Sequence, residues 1–314
     1  MDASIILQIG LLLVGFVFLI KGSDFFVDGA SSIASILKIP TIIVGLTIVA
    51  LGTSAPEAAV SITSSLTGSN AMAVSNVIGS NLFNLLMVIG IAALLSDLLM
   101  EKSVLNKDLP FLVGITVLFA IFAFIGGDIS SIEGIILLII LVVYIFNLVK
   151  NARKSEEGTV VEKPKFSLPK SIIFILVGLA GIIIGGDLVV NSASDIAIAF
   201  GMSETLVGLT IVAIGTSLPE LVTSLTALKK GENQLVIGNV IGSNIFNILF
   251  VLGASSAISA IPLDSSILID MVFMIFVTIL CFIFGKTQEK YDKKEGIILV
   301  LLFVGYMAFA ILRN

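Results

Sequence analysis

The sequence contains no histidine and a single cysteine, Cys281, among 314 residues. One cysteine allows no intramolecular disulfide, and without histidine the chain lacks the commonest transition-metal ligand and the usual near-neutral proton carrier. Charged residues make up only 12% of the chain, against about a quarter in soluble domains. The composition therefore argues against a soluble catalytic domain.

Apolar residues instead fill 57% of the chain, in runs long enough for the roughly 20 helical residues that cross a bilayer. The runs are continuous rather than alternating, which excludes a transmembrane barrel. The sequence predicts an all-α polytopic membrane protein with ten transmembrane helices. Their approximate spans are 5–24, 41–66, 71–95, 109–126, 132–149, 171–190, 204–228, 234–260, 266–285 and 296–312. The first and sixth helices can extend to Leu37 and Phe200, and the first is expected to be retained because no basic leader region precedes it.

A charged, proline-containing segment, 150–170, is the only sizeable linker. Its composition is typical of a solvated flexible connector, too short to form a domain. It divides the chain into two halves of five spans each, 1–149 and 171–314.

The two halves contain a repeated segment, Gly45–Gly90 and Gly208–Gly253, aligned without a gap at an offset of 163. The copies are identical at 26 of 46 positions, and the matches include polar, glycine and proline residues that apolar composition alone does not supply. The sequence therefore indicates an internal duplication.

Five crossings separate equivalent helices, an odd number, so the two copies must insert in opposite orientations. Charge distribution tests this independently, since cytoplasmic loops carry an excess of Lys and Arg. The hairpin tip 67–70 has no cation, whereas the equivalent tip contains Lys229 and Lys230. With the linker in the cytoplasm and both termini outside, fifteen of the 17 Lys and Arg face the cytoplasm. Such inverted repeats predict alternating access around a site between them.

Within each copy, a first polar stretch lies in the middle of a span, Gly52–Glu57 and Gly215–Glu220. Pro56 has no N–H to offer the preceding turn, so the helix is expected to kink just before Glu57 and free backbone oxygens. Thr53 and Ser54 lie on the side of the carboxylate. A carboxylate at the bilayer centre costs at least ~2.5–3.5 kcal/mol, so Glu57 and Glu220 require a cation or a proton. The alternative is a packing kink with both glutamates protonated.

A second polar stretch follows, Asn76–Asn84 and Asn239–Asn247. Its polar residues recur every four positions and form a stripe along each helix. Gly79 and Gly242 would let another helix approach closely. Interhelical hydrogen bonding is the alternative role, strongest for Asn76, Asn81, Asn239 and Asn244, and weaker for Ser80, Asn84, Ser243 and Asn247.

Together these stretches supply carboxylate, hydroxyl, amide and carbonyl oxygens, with no nitrogen or sulfur ligand from His or Cys. Hard oxygen ligands in number suit Ca²⁺, which takes 6–8 of them, and also Na⁺. Two negative charges match one Ca²⁺ or a set of Na⁺ ions, and mutual exclusion at one site would give exchange rather than leak.

The paired GTSxPE and GNxIGSNxxN stretches resemble the repeats of the calcium/cation antiporter superfamily, on its prokaryotic sodium/calcium exchanger side. The resemblance covers nearly the whole chain and implies ten helices that exchange Ca²⁺ against Na⁺ by alternating access. It also implies a set of ion ligands: Thr53, Ser54, Glu57, Ser80, Asn84, Thr216, Ser217, Glu220 and Ser243, with the carbonyls of Ala50 and Ala213.

Asn247, equivalent to Asn84, completes the candidate set, but some relatives have aspartate there, including the potassium-dependent branch. The asparagine argues against potassium dependence and leaves two formal charges rather than three. Proton-driven relatives usually show a GNxxE-type stretch in place of GTSxPE. The 21-residue linker lacks room for the calcium-sensing domains of animal exchangers, so regulation of that kind is not expected.

Among the aspartates outside the repeats, two recur at equivalent positions of the two halves and two lie in short loops. Asp24 and Asp187 match at the same offset of 163 and are either charges on an access path or interfacial carboxylates. Asp128 and Asp264 lie in short loops and are expected to be solvated.

The sequence thus predicts Na⁺-driven Ca²⁺ efflux across a prokaryotic plasma membrane. H⁺/Ca²⁺ exchange, with Glu57 and Glu220 carrying protons, is the first alternative, and a cation channel the second. An intramembrane enzyme is disfavoured because no second charged group accompanies each glutamate. No cofactor, nucleic acid or obligatory protein partner is expected; the ions and the lipid bilayer are the partners.

Overall fold

The computed structural model describes residues 3–154, 163–202, 211, 213–263 and 265–313. Apart from loops and two-residue strands, these residues are helical. The α-helices are α1 Ala3–Leu37, α2 Thr41–Val44, α3 Ala50–Thr53, α4 Ala55–Leu66, α5 Asn70–Phe83, α6 Ile89–Leu95, α7 Leu109–Gly126, α8 Ser131–Lys154, α9 Leu168–Ala199, α10 Ala213–Gly215, α11 Leu218–Lys229, α12 Asn233–Phe246, α13 Gly253–Ile258, α14 Ser265–Gln288 and α15 Lys293–Arg313. Short π-helices lie at π1 Gly45–Val49, π2 Asn84–Val88, π3 Val104–Asp108 and π4 Asn247–Leu252, and strands at β1 Leu98–Leu99, β2 Asp128–Ile129, β3 Ile261–Pro262 and β4 Lys290–Tyr291.

Eight helices in the described ranges are long and apolar enough to cross a membrane. A ninth span is the bent pair Thr41–Thr53 and Ala55–Leu66, whose two parts meet at 48°. The protein is therefore an all-α, multi-pass membrane protein. The predicted span 204–228 begins outside the described residues, so a count of ten stays a prediction.

The bend in the second span lies at Ser54, whose φ and ψ of −83° and 7° interrupt the helix between α3 and α4. Pro56 lies in the first turn of α4, the one part of a helix where its missing N–H costs nothing. Ser217 has nearly the same conformation, −93° and 4°, immediately before α11. The kink predicted before Glu57 is confirmed, and the same geometry precedes Glu220.

Two spans form the centre of the molecule, Asn70–Leu95 and Asn233–Ile258. In their most apolar stretches 78% and 94% of the residues are buried, against 17% for the first span. The long helices α1 and α9 pack against each other through glycines. A Cβ atom on Gly22 would lie 2.8 Å from the Gly178 carbonyl oxygen, and one on Gly178 would lie 2.7 Å from that of Gly22. Only glycine permits so close an approach of the two backbones.

The strands pair in two antiparallel ribbons, β1 with β4 and β2 with β3. Leu98 lies opposite Tyr291, and Ile129 lies opposite Ile261. Each ribbon thus joins a loop of the first half of the chain to a loop of the second half. The ribbons could not be predicted from the sequence, because a two-residue strand carries no periodicity.

The linker is shorter than predicted at both ends. Helix α8 continues through Lys154, and α9 begins at Leu168 with a proline in its first turn. Residues 150–154 and 168–170 are thus helical rather than connector, because the amphipathic ends of the long helices extend past the apolar runs. Residues 155–162 lie outside the described part of the chain.

A cluster of ion pairs lies where α1, α9 and the turn after α11 meet. The Lys230 ammonium lies 3.4 Å from the Asp24 carboxylate and 3.0 Å from that of Asp28. Lys165 lies 3.1 Å from Asp28. Asp24 is therefore an ion-pair partner of the second half, whereas Asp187 is exposed. Asp128 lies in β2, and Asp264 is outside the described residues.

Candidate ion-binding site

Two buried glutamates form the centre of the site. Glu57 lies in the first turn of α4 and Glu220 in the first turn of α11, and neither side chain is exposed to solvent. No lysine or arginine forms a salt bridge with either glutamate among the described residues. Helix N-termini favour anions, but a buried pair of carboxylates without a cationic side chain still requires positive charge from elsewhere.

Each glutamate is held by a serine from the other copy of the repeat. Ser217 Oγ donates to Glu57 Oε1 and Ser54 Oγ donates to Glu220 Oε1, both at 3.0 Å. Ser80 Oγ lies 3.4 Å from Glu57 Oε1. The second oxygens, Oε2 of Glu57 and Oε2 of Glu220, are buried and have no hydrogen-bond partner in the described part of the chain. One oxygen of each carboxylate is fixed, and the other is left for a ligand.

The threonines of the two copies bond to asparagines across the same interface. Thr53 Oγ1 lies 3.0 Å from Asn239 Oδ1, and Thr216 Oγ1 lies 3.3 Å from Asn76 Oδ1. Thr53 Oγ1 is also 3.4 Å from Ser243 Oγ. These contacts place the predicted ligands of the GTSxPE stretches beside the polar stripe of the opposite copy.

Asn84 and Asn247 are fully buried at the start of π2 and π4. Neither polar side-chain atom of Asn84 has a partner among the described residues, and the same holds for Asn247 Oδ1. Asn247 Nδ2 donates to Asn81 Oδ1 at 3.1 Å. Buried amides without partners are costly, which favours an interaction with a bound ion.

π-Helical turns recur at functional sites because the wider turn breaks the regular i→i+4 ladder. Here they begin at the two asparagines, and π1 directly precedes Ala50. None of these π-helical turns was predicted from the sequence, since no residue pattern distinguishes them from α-helix.

Of the two predicted carbonyl ligands, Ala50 and Ala213, the structure shows the contacts of Ala50 only. The Ala50 carbonyl accepts the Ser54 N–H at 3.0 Å and lies 3.4 Å from the Thr53 hydroxyl, so it is engaged within its own helix. Ala213 begins α10.

Two glycines, Gly79 and Gly242, were predicted to let another helix approach closely. Gly242 has a close neighbour, since an added Cβ would lie 2.7 Å from the Cβ of Ala50. Gly79 has no described atom in that range, and the segment equivalent to Leu46–Ala50 lies largely outside the described residues.

The structure thus brings most of the predicted ligands into one buried polar cluster. Hydrogen bonds connect or approach eight of them directly: Thr53, Ser54, Glu57, Ser80, Thr216, Ser217, Glu220 and Ser243. In the described ranges no group of three or more His, Cys, Asp or Glu side chains could hold a metal ion. The cluster is rich in neutral oxygens around two carboxylates, which is the donor set of a hard cation rather than of a transition metal.

Known proteins resemble this chain over nearly its whole length. It is 38% identical to the putative antiporter CaxA of Alkalimonas amylolytica over 306 residues, covering 94% of the chain and 95% of CaxA. It is 32% identical to the sodium/calcium exchanger MaX1 of Methanosarcina acetivorans, covering 95% and 96% of the two chains.

The fold matches a solved structure of the sodium-calcium exchanger NCX_Mj, soaked with 2.5 mM Na⁺ and 10 mM Sr²⁺. The TM-score is 0.86 at 32% identity, covering 97% of this chain and 99% of that one. The sequence profile of the sodium/calcium exchanger proteins matches residues 7–150 and 170–312. This is a family of transporters rather than enzymes, and the chain belongs to it.

Proposed function

We propose that this member of the family is a secondary antiporter that exchanges Na⁺ for Ca²⁺ at the cluster around Glu57 and Glu220. The observation that carries the proposal is the pair of crossed serine–glutamate hydrogen bonds at 3.0 Å. Each bond fixes one carboxylate oxygen and leaves the other without a partner in the described residues. Two buried carboxylate oxygens without hydrogen-bond partners in the described residues suit a cation.

The ligand set we propose is the one the sequence predicted. It comprises Ala50, Thr53, Ser54, Glu57, Ser80, Asn84, Ala213, Thr216, Ser217, Glu220, Ser243 and Asn247. The open amide atoms of Asn84 and Asn247 support including both asparagines. The Ala50 carbonyl accepts the Ser54 N–H and has a second lone pair for an ion.

The charge of the set explains exchange. With Asn84 and Asn247 neutral, the cluster holds two negative charges, which one Ca²⁺ or a pair of Na⁺ ions neutralises. Leaving two buried carboxylates without cations costs several kcal/mol per ion. Switching access from one side of the membrane to the other therefore costs more free energy for the empty site than for the ion-loaded site.

For the architecture, we propose ten helices in two inverted halves, joined by the linker between α8 and α9. Equivalent hydrogen bonds at the offset of 163 support the symmetry, since Asn76 and Asn239 both donate to the carbonyl of the glutamate in their own half at 3.3 Å. The two ribbons, β1–β4 and β2–β3, support it too.

For the orientation, we propose that the linker is cytoplasmic, that both termini lie outside, and that the membrane is the plasma membrane of a prokaryote. Contacts between loops expected on the same side support this arrangement. Lys165 meets Asp28 at one end, and Asn70 Nδ2 donates to the Ser259 hydroxyl at the other, at 2.9 Å.

Proteoliposomes test the function directly. Vesicles loaded with Na⁺ and diluted into Na⁺-free medium should take up Ca²⁺, and uptake should stop when the Na⁺ gradient is removed. Uptake that follows a pH gradient and ignores Na⁺ would replace the proposal with H⁺/Ca²⁺ exchange. Flux without any counter-ion gradient would indicate a channel.

A further inference from the structure

Asn76 and Asn239 lie beside the ion cluster, yet neither belongs to the proposed ligand set. Asn239 Nδ2 donates to the Glu220 carbonyl at 3.3 Å and to Ser224 Oγ at 3.0 Å. Asn76 makes the same pair of contacts with the Glu57 carbonyl and Ser61 Oγ, at 3.3 and 3.0 Å. Both asparagines are thus tied to the backbone of the glutamate in their own half of the chain.

These contacts fix which way each amide points. A backbone carbonyl only accepts hydrogen bonds, so the NH₂ group of Asn239 must face Glu220. Its Oδ1 then necessarily faces Thr53 of the other half, at 3.0 Å. Because Oδ1 only accepts, the threonine hydroxyl must be the donor. The same reasoning makes Thr216 a donor to Asn76 Oδ1, at 3.3 Å.

The direction of the hydroxyl matters for a cation. A hydroxyl carries one proton and two lone pairs, and only the lone pairs attract a positive ion. When the proton of Thr53 points to Asn239, its lone pairs are free for the ion cluster. Otherwise the proton turns to another acceptor, such as the Val49 carbonyl at 3.2 Å or Ser243 Oγ at 3.4 Å, and the orientation of the oxygen is no longer fixed.

We propose that Asn76 and Asn239 are positioning residues, which orient the hydroxyls of Thr216 and Thr53 so that their oxygens bind the transported cation. The inference rests on the proposed function, since it concerns the same site. The positioning role can be told apart from interhelical packing. Replacing a residue that only packs changes the amount of folded protein, whereas replacing a positioning residue changes the Ca²⁺ affinity of the folded protein.

The chain offers a matched control for each asparagine. Replacing Asn239 by alanine removes the acceptor of Thr53, whereas Ser224→Ala removes only a hydrogen bond on the far side of the same amide. We expect Asn239→Ala to raise the half-saturating Ca²⁺ concentration about tenfold, the effect of losing ~1.4 kcal/mol of buried hydrogen bonding. Ser224→Ala should stay within about twofold of the native protein.

Asn76→Ala, with Ser61→Ala as its control, repeats the test in the other copy. Asn76 is partly exposed, so its replacement disturbs a less buried position than that of Asn239, and the variant is the safer one for folding. A double-mutant cycle between Asn239→Ala and Thr53→Val checks the route of the effect. If the asparagine acts through the threonine, the double variant should bind Ca²⁺ no more weakly than Thr53→Val alone.

The measurement is Ca²⁺ binding by calorimetry to purified, folded protein, together with Na⁺-driven Ca²⁺ uptake in proteoliposomes. Equal affinities for each asparagine variant and its serine control, or additive effects in the cycle, would overturn the positioning role while leaving Na⁺/Ca²⁺ exchange intact. Failure of the native protein to exchange Na⁺ for Ca²⁺ would instead overturn the proposed function.

Discussion

The two copies of the repeated segment present the same side chains in unequal surroundings. Thr53 and Asn239 are 0% and 1% exposed and lie 3.0 Å apart at their bonding atoms. Their equivalents, Thr216 and Asn76, are both partly exposed and 3.3 Å apart. The first pair is buried inside the protein, whereas the second is partly exposed.

The glutamates do not share this inequality, since both are fully buried and hold equivalent hydrogen bonds. The asymmetry therefore lies at the edges of the cluster and not at its centre. Asn76 lies in the middle of α5, whose first residue, Asn70, meets Ser259; Asn239 lies in the middle of α12, which follows the turn that holds Lys230. Alternating access at a site between two inverted repeats requires the two halves to differ in structure at any one time.

The largest effect on Ca²⁺ binding should come from the two buried glutamates at the centre of the cluster, and it should be equal in the two copies. Glu57→Gln and Glu220→Gln should each weaken Ca²⁺ binding by about 100-fold or more, because removing one charge of a buried set costs ~2–5 kcal/mol. Neither variant should sustain Na⁺-driven Ca²⁺ uptake in proteoliposomes. Glu289→Gln, at an exposed position, is the control. Normal transport by either buried variant would mean that the site lies elsewhere.

A smaller and unequal effect should come from the threonines. Thr53→Val removes a proposed oxygen ligand at a fully buried position, which should lower Ca²⁺ affinity about tenfold. Thr216→Val removes the equivalent ligand at a partly exposed position and should cost only about two- to threefold. Calorimetric titration of both variants measures the ratio. Equal losses would show that the difference in exposure has no energetic consequence.

The smallest effect should come from the ion pairs of Lys230, near the surface of the protein. Lys230, whose side chain is 20% exposed, pairs with Asp24 and Asp28, whereas the equivalent position in the first copy is Thr67. Lys230→Ala should lower the free energy of unfolding by about 1 kcal/mol or less, as expected for pairs near the surface.

The salt dependence of the unfolding temperature shows whether the Lys230 ion pairs contribute to stability. Choline chloride should lower the unfolding temperature of the native protein and affect Lys230→Ala less, because salt screens exposed ion pairs; choline avoids adding the expected substrate, Na⁺. The neighbouring Lys229, which is exposed, supplies the control variant Lys229→Ala. An unchanged salt response in Lys230→Ala would mean that the ion pairs add nothing to stability.

Much of the site could be predicted from the sequence because its chemistry is unusual for a membrane helix. Pro56 predicts the bend observed at Ser54, and the four-residue spacing from Asn76 to Ser80 predicts a stripe that meets Glu57. Glu57 and Glu220 stand out for a simple reason: a carboxylate in a membrane span is costly unless it has a function.

Other features had no signal in the sequence. The π-turns at Asn84 and Asn247 use residues that α-helices also accept, and the ribbons are two residues long. The difference between Thr53 and Thr216 could not be predicted for another reason. Identical residues in a duplicated sequence carry no information about how deeply each copy is buried in the folded protein.

The crossed hydrogen bonds also have a consequence for how the protein is made. Glu57 is bonded to Ser217, which follows it by 160 residues. At synthesis rates of about 5–20 residues per second, Glu57 is made about 8 to 30 seconds before its partner. During that interval the first half carries Glu57 without the Ser217 hydroxyl that later binds it. The final arrangement of the Glu57 carboxylate can therefore form only after the second half has been made.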